Sequence, residues 1–385
     1  MPGVEPSTPL DSGAWVAGLS AAAHRVVAED RPEGGRSIRP AGEGPFPAIL
    51  VASGSTDALE ADRRAYELAR RGYACERAGA TDAGALLAAL AALAGRPWVG
   101  NRIGLLAEGD AARAAFAASA SAPRLAALAT ITPADGDEPA AVPALHVTGW
   151  FDAGLESTLE RFARARNREP TIESSLSQYL VVGPWAGGPG FDRSRRKGGL
   201  DLGPQAVVEL DLLLVRFFDR WLRGVDNGLD TEARARVFVL GRNEWVDLPD
   251  WPAPGVRYTS VDAGGGTLPV ETASRPLSSP LELLGPAEVA IRLDAASAGE
   301  LTATIHRQSA DGRRVLLSSA ARIVHRRPGE VVLQARPIGA RLEVGDRIVV
   351  RIESTDPAGT IAGGRAILPV LPSPEAPGLQ LARAA

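Results

Sequence analysis

Short apolar runs alternate with helix-forming stretches through the first half of this chain, and few folds are compatible with that order. Apolar runs occur at residues 46–51, 102–107, 144–148 and 179–182. The segments between them are rich in Ala, Leu, Glu and Arg, as in residues 57–71. Continuous apolar runs are typical of strands that are buried on both faces. The pattern therefore predicts a mostly parallel sheet with helices on both faces.

The second half of the chain has a different pattern. Residues 205–223 predict a long amphipathic helix with an apolar stripe, formed by Val207, Leu210, Leu214, Phe217, Phe218 and Trp221. From residue 236 onward, short β-rich runs are separated by Gly, Pro, Asp and Ser, which predicts an all-β sandwich. With 385 residues the chain also exceeds the size of a single hydrophobic core.

We therefore expect two domains. The predicted divisions are a partly irregular N-terminal segment at 1–40, an α/β domain at 41–230, a β-sandwich at 231–370 and a tail at 371–385.

Composition narrows the possible partners. A formal net charge of −4 creates no strong field that would attract nucleic acid or anionic lipid. Cys75 is the only cysteine, and no histidine spacing resembles a zinc site, so neither a disulfide nor a metal is expected. No cofactor is expected either. Because no secretion signal and no membrane-length apolar run is found, we expect a soluble cytoplasmic protein.

Several motifs resemble one enzyme family. Residues 143–152 (Pro-Ala-Leu-His-Val-Thr-Gly-Trp-Phe-Asp) and 181–185 (Val-Val-Gly-Pro-Trp) are similar to segments of the cocaine-esterase-like (CocE/NonD, X-prolyl dipeptidyl-peptidase) hydrolases. Residues 216–228 and 237–245 resemble that family's last helix and its entry into the C-terminal domain. The resemblance runs from about residue 45 to residue 360. It implies an α/β-hydrolase domain, with its cap domain reduced or absent, followed by a jelly roll.

The resemblance also implies a serine, histidine and acid triad, which this sequence does not supply in full. Gly109 falls where the nucleophilic serine belongs, and Gly187 falls where the histidine belongs. Asp152 matches the retained acid. Ser55 takes the place of the family's oxyanion tyrosine. The sequence therefore predicts a site that has lost its nucleophile and its general base.

The surroundings of this site suggest a crevice that binds a ligand. The family usually inserts a cap domain where this chain has only residues 132–142. Trp150 and Trp185 are expected as walls and core of the crevice. Arg195 belongs to a cationic loop that, together with Asp110 and Asp152, could bind a ligand bearing a carboxylate or a phosphate. The alternative for Arg195 is an ordinary solvated loop.

Other residues could stand in for the lost groups. A register shift by one residue would make Asp110 the nucleophile, whereas the simpler interpretation is that Asp110 caps the following helix. His146 lies in an apolar strand, where a histidine is more often a core residue than a base. His24 precedes the first apolar run, and an N-terminal segment could carry it over the crevice.

Three functional hypotheses follow. The first is a non-hydrolytic relative that binds a small molecule in the vacated crevice, or binds a second copy or an active paralogue. The second is an ester or amide hydrolase, or a catalyst of another reaction, that uses different residues. The third is a structural role in which the fold persists without either function.

Overall fold

The computed structural model describes residues 23–31, 35–54, 58–132, 138–167, 177–187, 193–197, 200–294, 298–325, 328–355 and 359–372. These residues form two compact units, one ending near Pro249 and the other continuing from Asp250, with residues 239–242 assigned to the second. Within the described part of the chain, none of the helices combines the length and the apolar character needed to span a bilayer.

The first unit is built around a ten-stranded sheet with the order β1-β2-β4-β3-β5-β6-β7-β8-β11-β12. Its strands are β1 (Val26–Asp30), β2 (Arg36–Pro40), β3 (Phe46–Ala52), β4 (Ala74–Ala78), β5 (Val99–Glu108), β6 (Leu125–Ile131), β7 (Ala144–Gly149), β8 (Gln178–Gly183), β11 (Ala235–Val239) and β12 (Glu244–Leu248). A small hairpin, β9 (Arg196–Lys197) and β10 (Leu200–Asp201), lies after β8.

The central strands pair in parallel, as the alternation predicts. β4, β3, β5, β6, β7, β8 and β11 form one continuous parallel set. Every residue of β7 and β8 is buried, which fits strands that are covered on both faces. Because parallel strands end at the same edge, the residues that follow β5, β6, β7 and β8 lie at one carboxyl edge of the sheet.

In the described part of the chain, five α-helices connect these strands. They are α1 (Ala58–Arg70), α2 (Ala83–Ala94), α3 (Asp110–Ser119), α4 (Leu155–Asn167) and α5 (Leu210–Phe218). Alanine and leucine make α2 helical, and the Asp82 side chain caps it by accepting a hydrogen bond from the backbone N–H of Ala85 at 2.9 Å. Alternate residues of β3 and β5 pack against α2 and α3, around Leu50, Leu90 and Phe116.

The predicted helix over residues 205–223 is interrupted. A 3₁₀ turn (Pro204–Ala206) comes first, the α-helix begins only at Leu210, and a π-helical turn (Asp219–Arg223) ends at Gly224 with a φ of 71°. Pro204 starts the 3₁₀ turn, and the extended Val207 separates the turn from α5. The predicted apolar stripe is therefore divided between the extended Val207, α5 and the π-helical turn that contains Trp221.

Two further differences from the sequence-based divisions concern strands. β1 and β2 form an antiparallel hairpin within the segment that was expected to be partly irregular, while residues 1–22 lie outside the described residues. β11 pairs in parallel with β8, so the parallel sheet continues past residue 231. A β-rich run looks the same in a parallel sheet and in a sandwich, and only its partner distinguishes the two.

The second unit is an antiparallel sandwich of two four-stranded sheets. One sheet has the order β13-β20-β15-β18 and the other has the order β14-β19-β16-β17. The strands are β13 (Arg257–Thr267), β14 (Val270–Ala273), β15 (Leu281–Leu293), β16 (Ala298–Gln308), β17 (Arg314–His325), β18 (Gly329–Leu342), β19 (Arg347–Ser354) and β20 (Thr360–Leu371). Apolar side chains such as Leu283, Ile305 and Val350 form one core. This architecture confirms the predicted jelly-roll class.

Candidate functional site

The turn between β5 and α3 has the geometry of a nucleophile elbow. Gly109 sits between Glu108, which ends the strand, and Asp110, which begins the helix, and its φ and ψ are 57° and −126°. Its backbone N–H donates to the carbonyl of Ile131 at 3.0 Å, which ties the turn to β6. In α/β-hydrolases a strained strand-to-helix turn of this kind exposes the nucleophile. Here the residue at the turn has no side chain.

Asp110 does not occupy that turn. It is the first residue of α3 and is exposed, while the cap position belongs to Gly109 and carries no side-chain hydrogen bond. The expectation that Asp110 caps the helix is therefore wrong by one position. Its carboxylate lies in the first helical turn, where a negative charge stabilises the N-terminus. The register that would make Asp110 the nucleophile is disfavoured, because the positive φ belongs to Gly109.

Asp152 and Gly187 are brought together at the same edge. Asp152 follows β7 and is only 5% exposed. Its Oδ2 accepts hydrogen bonds from the backbone N–H of Gly149 at 2.6 Å and from Thr148 Oγ1 at 3.3 Å. A Cβ atom added to Gly187 would lie 3.0 Å from Asp152 Oδ1. A side chain at position 187 would thus project directly onto this carboxylate, where a triad histidine has to be.

Thr132 is a neighbour that the sequence did not suggest. It follows β6, has a φ of 46°, and its Cγ2 would lie 3.4 Å from a Cβ at Gly187. Its backbone N–H donates to the carbonyl of Val147 at 2.8 Å. A β-branched residue with positive φ is a genuine backbone outlier. No sequence signal marks such a residue, because the strain arises from the backbone around it.

The two tryptophans are packing residues. Trp150 is 6% exposed, and its indole N–H donates to the carbonyl of Phe238 at 2.5 Å. Trp185 is 2% exposed, donates to the carbonyl of Ala206 at 3.2 Å, and packs against Trp245 with ring centroids 5.7 Å apart. A Cβ at Gly183 would lie 2.3 Å from the Trp185 ring. Both indoles therefore belong to the core and do not line an open crevice.

Ser55 and Arg195 are the remaining residues that the sequence analysis assigned to the site. Ser55 lies outside the described residues. The side chain of Arg195 is 53% exposed and donates to Asp201 Oδ2 at 2.8 Å within the β9–β10 hairpin. The backbone N–H of Gly203 and the Arg195 side chain lower the pKa of Asp201. Arg195 thus has the position of a solvated loop residue.

Buried charges lie beneath the elbow, and the sequence did not indicate them. Arg64 on α1 is 0% exposed and contacts Glu108 Oε1 at 2.9 Å, Asp211 Oδ1 at 2.6 Å and Glu60 Oε1 at 3.5 Å. Burial raises the pKa of Asp211, but the hydrogen bond from Arg63 and the charge of Arg64 outweigh burial and leave that pKa lowered. We call Glu60, Arg63, Arg64, Glu108, Asp211 and Arg193 the Arg64 cluster.

The Arg64 cluster joins four separate segments. Arg63 bridges Glu60 and Asp211, and Arg193 donates to Glu60 Oε2 at 3.2 Å. The cluster therefore connects α1, the last residue of β5, the first turn of α5 and the loop after β8. Among the described residues of the cluster, three arginines face three carboxylates. The walls of the candidate site are held by ion pairs as well as by packing.

The structure places two histidines away from a catalytic role. His146 is fully buried, stacks on Phe116 with ring centroids 5.7 Å apart, and has its Nε2 3.1 Å from Gln178 Oε1. It is a core residue, as expected. The backbone N–H of His24 donates to the carbonyl of Arg70 at 2.7 Å, where α1 ends and the chain approaches β4. That is the amino edge of the sheet, opposite Gly109.

Protonation of His146 is expected to destabilise the protein. Burial lowers the pKa of His146 from 6.5 to about 4, and the charge of Arg161 lowers it further, against the hydrogen bond to Gln178. Between pH 4 and pH 6.5, His146 is protonated in the unfolded chain and neutral in the native protein. The stability contributed by neutral His146 is therefore complete above pH 6.5 and falls as the pH approaches 4. The loss is about 3 kcal/mol.

Urea denaturation at pH 7, 6, 5 and 4.5 measures this effect. The variant His146→Gln should have a flatter pH profile than the wild type, and the exposed His24→Gln serves as the matched control with an unchanged profile. Carboxylates that titrate below pH 5 contribute equally to all three proteins. Equal pH dependence in His146→Gln and the wild type would contradict the buried neutral state.

A separate cleft of about 400 Å³ lies beside α3. Its lining includes Arg113, Phe116, Glu138 and Arg161, and none of Gly109, Asp152 or Gly187. Glu138 belongs to the connection between β6 and β7, which has no room for a cap domain between Ile131 and Ala144. Glu138 thus brings one residue of this short connection into the lining of the cleft.

The fold and the elbow together define an α/β-hydrolase-type domain followed by a β-sandwich. No family model matches the chain. Over 139 aligned residues the chain is 33% identical to cocaine esterase of Rhodococcus sp., in a match that covers 33% of this chain and 23% of cocaine esterase. A CocE/NonD family hydrolase from Staphylococcus aureus superposes with a TM-score of 0.65 at 12% identity, covering 91% of this chain and 93% of that one.

An α-amino acid ester hydrolase also shares the fold, with a TM-score of 0.67 at 12% identity over 93% of this chain and 96% of that one. At such low identity these structures establish the fold alone. Sequence similarity to cocaine esterase extends over a third of this chain, and the fold is that of the CocE/NonD family hydrolases. Because the cocaine esterase match spans well under half of that enzyme, its activity does not transfer directly to this chain.

Proposed function

We propose that this chain is a non-hydrolytic member of the CocE/NonD family that binds a small molecule in the crevice left by the lost triad. One observation carries the proposal: the residues at the strained elbow and opposite the retained carboxylate are both glycine. Gly109 supplies no nucleophilic oxygen, and Gly187 supplies no proton acceptor. Loss of the serine or histidine of a triad costs about a million-fold in turnover.

The geometry of the site favours this proposal over a relocated triad. Among the described residues, His146 is buried in the core and His24 lies at the opposite edge of the sheet, so neither can serve Asp152. The connection between β6 and β7 is too short for a cap domain, and Gly109, Thr132 and Gly187 are partly exposed. Solvent therefore reaches these residues, which weakens the electrostatic stabilisation that a closed site provides.

A hydrolase that uses Asp110 is the second candidate. Its support is the exposed carboxylate of Asp110 next to the elbow.

The first proposal, a non-hydrolytic binding protein, also includes a cytoplasmic location. It further includes association with a second copy of the chain or with an active paralogue.

Labelling with a fluorophosphonate probe separates a serine hydrolase from a protein that has lost its serine. We expect no covalent adduct on the purified wild type, with an active serine esterase as the positive control. Hydrolysis of an activated ester that disappears in Asp110→Asn would support the second candidate. An adduct mapped to any serine of the wild type would contradict the first.

A further inference from the structure

An ion pair of the second unit connects the two edges of one sheet. Arg314 on β17 donates to both carboxylate oxygens of Glu271 on β14, at 2.8 and 3.0 Å. β14 and β17 are the edge strands of their four-stranded sheet, and β19 and β16 lie between them. Two N–H donors on one carboxylate give the strongest geometry that such a pair can adopt. We call the Arg314–Glu271 pair the clasp.

His306 and Val349 lie on the face of this sheet that points away from the sandwich core. They are register partners on β16 and β19. The residues before and after Val349 belong to the core, so Val349 itself projects from the opposite face. Val349 is nevertheless 0% exposed. Its other register partner is Ala273 on β14, two residues from Glu271, so the clasp lies on the same face as this covered apolar side chain.

The surroundings of His306 disfavour a positive charge on its ring. Nδ1 is buried and has no hydrogen-bond partner within the described part of the chain. Burial lowers the pKa of His306 from its ordinary value of 6.5, the charge of Arg314 lowers it further, Glu271 opposes this, and Arg351 adds to the lowering. Arg351 on β19 lies 3.7 Å from Glu271 and donates to Glu353 at 2.7 Å. Two arginines therefore already share the Glu271 carboxylate.

A proton on His306 and a closed clasp oppose each other. Because the Arg314 side chain disfavours protonation of His306 while the clasp is closed, protonation of His306 must favour the open clasp by the same free energy. The element that an open clasp affects is β14, which has four residues and ends its sheet. A short edge strand has few backbone hydrogen bonds and belongs to the least stable parts of a domain.

We propose that His306 is a pH-sensitive switch of the clasp. With neutral His306 the clasp stays closed and ties β14 to the opposite edge of the sheet. Protonation places a third positive charge beside Arg314 and Arg351, opens the clasp and loosens β14. The stability that neutral His306 contributes is complete above pH 6.5 and is lost as the pH falls below that value. This switch is independent of what the crevice of the first unit binds.

NMR titration of the His306 imidazole in the full-length chain tests the coupling. The wild type should titrate below pH 6.5, and Arg314→Gln should titrate at a higher pH, because it removes a positive charge that opposes protonation. Arg313→Gln is the matched control, since Arg313 is the neighbouring exposed arginine and is not part of the clasp. It should leave the midpoint unchanged. A wild-type midpoint at or above 6.5, or equal midpoints in Arg314→Gln and the wild type, would overturn the proposal.

Amide hydrogen exchange of β14 tests the consequence of protonation. Between pH 7.5 and pH 5.5, the protection factors of β14, corrected for intrinsic exchange, should fall about two- to fivefold in the wild type, as the loss of one exposed ion pair allows. His306→Gln should show no such fall. Because the side chains of Arg314 and Glu271 are 43% and 33% exposed, salt at about 0.5 M should reduce the fall by screening.

The amides of β15, in the other sheet of the sandwich, serve as the internal control. Their protection should not change between the two pH values. A fall in β14 that is equally large in His306→Gln, or a fall of the same size in β15, would contradict a switch at His306.

Discussion

Arg64→Met is expected to lower the free energy of unfolding by about 3–5 kcal/mol, because it removes the buried cation that contacts Glu108, while Glu60 and Asp211 keep their contacts with Arg63. Arg64 is 0% exposed and lies within 3.5 Å of Glu60, Glu108 and Asp211. Methionine fills similar space but donates no hydrogen bond. Urea denaturation at neutral pH measures the change.

Two further variants test that explanation. Arg70→Met lies on the same helix with a 47% exposed side chain, and its loss should cost no more than about 1 kcal/mol. Adding Glu108→Gln to Arg64→Met removes the buried negative charge that Arg64 contacts in the wild type. The double variant should therefore recover part of the stability. If Arg64→Met and Arg70→Met unfold at the same urea concentration, the Arg64 cluster does not stabilise the elbow.

Placing a serine at position 109 and a histidine at position 187 is expected to create esterase activity. The double variant Gly109→Ser with Gly187→His should hydrolyse an activated ester about a hundredfold or more faster than the wild type, the low end of what general-base catalysis contributes. The reason is geometric, since the elbow is retained at Gly109 and a side chain at 187 reaches Asp152 Oδ1. Measured kcat/KM, with circular dichroism to verify folding, gives the result.

Matched variants separate a triad from an isolated hydroxyl. Gly109→Ser with Gly187→Ala supplies the nucleophile and similar backbone strain without a base, and it should stay near the wild-type rate. Asp152→Asn added to the double variant should remove most of the gain, because the imidazole then loses its orienting partner. A folded double variant without activity would contradict the assignment of positions 109 and 187 to the nucleophile and the base.

Sequence patterns could predict the parallel sheet because its strands are continuously apolar and are separated by helices of ordinary composition. They could not predict β1 and β2, whose residues Val26–Asp30 and Arg36–Pro40 mix charged and apolar positions at the edge of the sheet. The break before α5 was also missed, since Val207 fits the spacing of the apolar stripe although its backbone is extended.

The candidate site was partly predictable for a similar reason. Gly109, Asp152 and Gly187 could be located because they lie within short motifs that follow strands, and the structure places them at one edge. The Arg64 cluster could not be predicted, because an arginine in a helix is usually expected to face solvent. Arg64 is buried only through contacts with segments that are distant in the sequence. Thr132 could not be found either, since its strained φ is a property of the fold.

The central claim is that this chain, which has the fold of the CocE/NonD hydrolases, does not hydrolyse esters or amides. Its most direct test compares the purified wild type with the Asp152→Asn variant. The measurement is the turnover of an activated ester and of a peptide amide by each protein. We predict that both proteins match the rate without protein. Turnover by the wild type that Asp152→Asn abolishes would show that the crevice still performs acyl transfer, and it would contradict the claim.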